Sequence, residues 1–229
     1  MAPLRAQGPY VPWPGAGFPL AEMRHVPARE IYPSGRPGRA GILDATVVFD
    51  RRSPWTQGRA LRQLRKTAAI LEHCGVAFGK VVLARVEFSR GFKGFDAAEV
   101  DPATGVPAEV VRLASLLPQG TARPVAFLIR AVRGTDSLAV SYGPPEAARS
   151  KPAYADTAWL SYRSHWLPRR DPDYSPVAHE FAHLLCRCGH AGGPSRHLLH
   201  KARNFLGSSV LPEDCARIRE SSLVQEEQE

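Results

Sequence analysis

The chain has 229 residues, 44% hydrophobic and 23% charged. That is long enough for one packed core, and no apolar run approaches the roughly 20 residues of a membrane-spanning helix. The formal charge of +8 rests mostly on scattered arginines, without a basic block or interleaved aromatics, so it describes a solvated surface and no nucleic-acid partner is expected.

Residues 1–40 hold eight Pro and five Gly, and neither a helical nor an alternating apolar period survives there. They are expected to form an irregular arm ahead of a single domain over 41–229. The first stretch also lacks the apolar region of a signal peptide, so either the protein stays inside or this is a mature or trimmed form with an added Met1.

Ala45–Phe49, ATVVF, is a β-branched strand candidate. In GRALRQLRKTAAILEHCG, Leu61, Leu64, Ala68 and Leu71 fall at helical spacing, and Gly75 is a natural stop. Strands are expected over Val81–Phe88 and, as a buried apolar run, over Pro124–Val132, with a short helix over Ala108–Leu117 between them. Leu138–Tyr142 and Thr157–Tyr162 are weaker strands. Ser175 and Pro176 then announce a helix, as N-cap and first-turn residue, with Val177, Phe181, Leu184 and Leu185 as its apolar stripe and Gly189 as its expected end. A last helix is expected from about Leu211–Pro212.

The chemistry lies in HEFAHLLCRCGH, residues 179–190. His179 and His183 stand one helical turn apart, so both imidazoles can reach one metal ion. Glu180 sits beside that face, where a carboxylate can serve as general base to a metal-activated water. A third ligand is needed for a hydrolytic site with one open position. His190, just after the expected turn at Gly189, is the first candidate; His197, His200, Glu213 and Asp214 remain open. A structural zinc site recruiting Cys186 or Cys188 is the competing arrangement.

This stretch resembles the zinc helix of the metzincin clan of metallopeptidases, whose pattern is HExxHxxGxxH followed by a Met-containing turn. The order of elements from about Ile42 to Leu223 is similar to that clan and to small bacterial metzincin-like peptidases. The resemblance implies an α+β fold: a mixed twisted sheet of about five strands with an antiparallel edge strand, one long backing helix, an active-site helix and a C-terminal helix. It also implies a Zn2+ cofactor held by His179, His183 and His190, with Glu180 as catalytic base. The activity it implies is endopeptidase action on a protein or peptide substrate by a secreted or cell-envelope monomer. The pattern departs in two places. His190 is one residue late, with Cys186 where the clan has its glycine. The only methionines are Met1 and Met23, leaving Leu198 or Leu199 of RHLLH at the Met-turn position. Those departures leave a second reading, a catalytically inactive relative that binds peptide or protein.

The four cysteines are Cys74, Cys186, Cys188 and Cys215. A bridge from Cys188 to Cys74 or Cys215 would tie down the turn before His190, and a Cys186–Cys188 bridge is not expected across two residues. Four buried free thiols are the alternative.

Overall fold

The computed structural model describes residues 9–35, 38, 41–90, 92–134, 139–143, 152–166, 172–190, 196–200 and 207–226. Its main sheet contains β1 (Val11–Pro12), β2 (Glu22–Val26), β3 (Gly41–Asp50), β4 (Val76–Val86), β5 (Val125–Ile129), β6 (Ala139–Tyr142), β7 (Thr157–Ser161) and β8 (Val224–Glu226). The helices are α1 (Ala28–Ile31), α2 (Gln57–Glu72), α3 (Ala108–Ala114), α4 (Pro176–Cys186) and α5 (Pro212–Arg219). The sheet runs β1-β2-β4-β3-β5-β7-β6, and β8 pairs with the first residues of β3.

Strands β4, β3, β5 and β7 are parallel, and β6 closes the edge antiparallel to β7. Every residue of β5 and β7 is buried, because apolar layers cover both faces of the sheet. Alternation along β3 shows the division. Ala45, Val47 and Phe49 face one layer with Leu61, Leu64 and Ala68 of α2 and Phe181 and Leu185 of α4. Val48 faces the other, with Val110 and Leu113 of α3, Trp13, Phe18, and the stacked rings of Phe127 and Trp159. The α+β class, with a mixed twisted sheet closed by an antiparallel edge strand, the long backing helix α2, α4 and the C-terminal helix α5, is therefore the observed architecture, with eight described strands in the sheet where about five were expected.

β1, β2, α1 and β8 were not expected from the sequence. The Pro-rich segment supplies β1 and β2, and β2 lies antiparallel against β4. Its residues, EMRHV, carry no apolar alternation. The ladder comes from backbone groups, and the buried Arg24 guanidinium is neutralised by both carboxylate oxygens of Glu30 at 3.0 and 2.9 Å. The strand assigned to Leu138–Tyr142 is described from Ala139 onward, Leu138 lying outside the described residues.

The start of α4 is fixed as the sequence dictates. Ser175 is its N-cap, its hydroxyl accepting from the Ala178 amide at 3.2 Å, with Pro176 next. The same hydroxyl donates to the Gln63 side chain of α2 at 2.9 Å and lies 3.1 Å from the Thr67 hydroxyl. Gln63 and Thr67 are both buried, so the backing helix anchors the active-site helix through a satisfied polar cluster as well as through its apolar stripe.

Candidate metal centre

The end of α4 departs from expectation. The helix stops at Cys186, and Arg187 takes the left-handed conformation at φ 51°, ψ 35° that had been assigned to Gly189. Two ties hold the turn there. Cys186 and Cys188 are joined by a disulfide, contrary to expectation, because the reversal at Arg187 brings their Cα atoms to 5.2 Å, within bridging range. The His183 imidazole also donates from Nδ1 to the Cys188 carbonyl at 2.6 Å. The second disulfide, Cys74–Cys215, links the residues following α2 to α5 across 141 positions. Neither cysteine of that bridge reaches the turn, and among the described cysteines none is free.

The turn delivers His190 to the first two histidines. The three Nε2 atoms lie 3.1 Å (His179–His183), 3.1 Å (His179–His190) and 3.3 Å (His183–His190) apart. Their protonation follows from the other ring nitrogens. His179 Nδ1 lies 2.6 Å from the Leu198 carbonyl and His183 Nδ1 lies 2.6 Å from the Cys188 carbonyl. A carbonyl can only accept, so both rings carry their proton on Nδ1 and present a bare Nε2 lone pair. Lone pairs aimed at one another repel unless a cation lies between them. A tetrahedral ion about 2.0–2.1 Å from each nitrogen would set them roughly 3.3–3.4 Å apart, close to the observed triangle. The residues fit a bound metal ion.

Burial reinforces this. It lowers His179 to about 3, helped by the proximity of His183, His190 and His197, and it lowers His183 and His190 as well. All three are held neutral, the ligand form. Burial acts oppositely on the neighbouring carboxyl: Glu180 is raised to about 8, partly offset by a hydrogen bond from the Ser141 side chain of β6.

The other candidate ligands are elsewhere. His197 is fully buried and its Nε2 pairs with Asp214 at 3.0 Å, while its buried Nδ1 has no hydrogen-bond partner among the described residues. Neither they nor His200 and Glu213 belong to the converging triad. Cys186, Cys188 and Asp214 do come within ligand distance of one another, but the two sulfurs are bonded together and offer no thiolate, which removes the structural-zinc arrangement. Leu198 and Leu199 are fully buried, and the carbonyl of Leu198 orients His179, a role with no sequence signal because a backbone atom performs it.

An open cleft of about 430 Å³ lies over the triad. One wall is Ala139, Val140, Ser141 and Gly143, and the other is Glu180, His183, Leu184 and Arg187 through His190. At this geometry the comparisons with known proteins become informative. The fold is similar to that of a solved metalloproteinase. The chain superposes on the crystal structure of metalloproteinase-II from Bacteroides fragilis with a TM-score of 0.54, covering 81% of this chain and 54% of that one at 11% identity. It thus spans about half of that protein's length, and at this identity the likeness concerns the fold. No protein-family model matches the sequence, and no curated protein does.

Proposed function

We propose that this protein is a zinc-dependent endopeptidase in which His179, His183 and His190 hold the metal and Glu180 is the general base. The observation that carries the reading is the convergence of three Nε2 atoms within 3.3 Å, those of His179 and His183 proton-free, in the cleft that Glu180 lines. Three neutral imidazoles suit zinc and leave a fourth position open. The displaced third histidine also has an explanation. In the HExxHxxGxxH pattern the glycine precedes the last His by three residues, and the left-handed Arg187 precedes His190 by three. One extra helical residue shifts turn and ligand together.

A zinc ion at this site supplies Lewis acidity, acidifying a water, polarising the scissile carbonyl and offsetting the burial that raises Glu180. Glu180 takes the proton of the attacking water and returns it to the leaving amine. Ser141 orients that carboxylate from the opposite wall. The substrate lies along β6, which pairs only with β7 among the described strands and offers its free backbone edge to an extended peptide. Leu198 and Leu199 provide the apolar floor that a methionine provides in the metzincin clan, Leu and Met being close in volume. Two disulfides suit an oxidising compartment, so we place the protein outside the cytosol, acting on protein or peptide as a monomer.

The test is Glu180→Ala in protein loaded with zinc. The variant keeps about one zinc per chain and loses peptide hydrolysis; retained turnover would refute the mechanism. Zinc binding without turnover in the unsubstituted protein would instead identify a peptide-binding module.

A further inference from the structure

We infer that Arg187 is a specificity-determining residue that binds a carboxylate of the substrate beside the scissile bond. The inference rests on the peptidase reading above and goes beyond it to the class of peptide cleaved.

Arg187 occupies a position where a side chain is a disadvantage. Its φ of 51° is in the left-handed region, where the Cβ of an L-residue is crowded and glycine is at ease. The turn alone would be better served by glycine, which the metzincin pattern has three residues before its last histidine. A strained residue beside a reaction centre is informative when its side chain has something to do.

The surroundings indicate what that is. Arg187 is exposed and lines the cleft between His183 and Leu184 on one side and His190 on the other. No ion pair or hydrogen bond occupies its guanidinium among the described residues. The single acid lining the cleft there is Glu180, which is buried and accepts from Ser141. Among the described residues the cleft therefore carries one uncommitted cation. A guanidinium is a planar fork that fits a carboxylate in two parallel hydrogen bonds. A cation at the last turn of α4 also complements the helix dipole, but lysine would do that equally well without the fork. The net charge of +8 favours the approach of an acidic substrate.

The carboxylate can be an Asp or Glu side chain flanking the cleaved bond or the C-terminus of a short peptide. Quenched fluorescent peptides separate these: an amidated series with Ala, Glu or Lys at each position around the cleavage site, and an all-neutral series with a free or amidated C-terminus. The readout is the ratio of kcat/KM between carboxylate-bearing and neutral peptides, which cancels any change in overall turnover. In the zinc-loaded protein the ratio is expected to be about tenfold or more in one of the two series. It falls to about one in Arg187→Gly, which suits the left-handed turn and should fold at least as well. In Arg187→Glu the Lys peptides overtake the Glu peptides, and in Arg187→Lys the preference is reduced but keeps its sign. A ratio near one in the unsubstituted enzyme, or a ratio unmoved by Arg187→Gly, would overturn the assignment while leaving the peptidase reading intact. If no peptide is cleaved at all, neutral ones included, both fall together.

Discussion

His183 donates from Nδ1 to the carbonyl of Cys188, 2.6 Å away, and this bond ties the second histidine of the triad to the turn that carries the third. The turn is braced from two directions, by that hydrogen bond and by the Cys186–Cys188 bridge around Arg187. Positioning of this kind sets metal affinity, because a ligand held in place has less motion to lose on binding.

The double substitution Cys186→Ser, Cys188→Ser should therefore weaken zinc binding by about tenfold or more while the fold persists, the Cys74–Cys215 bridge remaining. Competition against a chromogenic chelator measures this. Unchanged affinity would show that the hydrogen bond alone positions His190.

His190→Ala and His197→Ala should separate the roles of the two histidines. The first removes a converging nitrogen and should abolish stoichiometric zinc. The second keeps zinc but leaves Asp214 without its partner at 3.0 Å, costing about 1–3 kcal/mol of stability. Metal analysis with thermal denaturation reads both; zinc loss in His197→Ala alone would reassign the third ligand.

Metal affinity should be nearly flat with pH down to about 6.5, where an ordinary histidine is half protonated. All three ligands have lowered pKa values, His179 about 3, so no proton need leave them as the metal enters. The same shifts give the metal-free protein a sign. The unfolded chain takes up protons that the folded site refuses, so stability falls as pH drops below the ordinary histidine range. Chelator competition at several pH values tests the first statement, and denaturant midpoints test the second. An affinity that falls about thirtyfold between pH 7 and pH 6, as for three ligands titrating at the ordinary histidine value, would contradict this account.

Removing the Cys74–Cys215 bridge, as Cys74→Ala with Cys215→Ala, should cost roughly 2–5 kcal/mol, because it closes a loop of 141 positions. It should leave zinc stoichiometry intact, since neither residue touches the triad. A fall in Tm together with loss of metal would mean that α5 supports the site more directly than its contacts indicate.

The sequence by itself determined the parts that rest on local pattern. Helical apolar spacing placed α2, the Ser175–Pro176 start placed α4, and the one-turn separation put His179 and His183 on a common face, because these are short-range consequences of backbone geometry. Only the tertiary structure decided the rest. β2 is a strand because β4 offers it a ladder and Glu30 neutralises Arg24. Gln63 accepts from the N-cap hydroxyl of a helix that begins 112 residues away, and Leu198 orients His179 through a backbone oxygen. The turn settled on Arg187 and not on the more permissive Gly189, since the disulfide and the His183 bond to Cys188 fix where the chain reverses. Conformational preference is local and worth about 1 kcal/mol per residue, and two cross-links within one turn outweigh it.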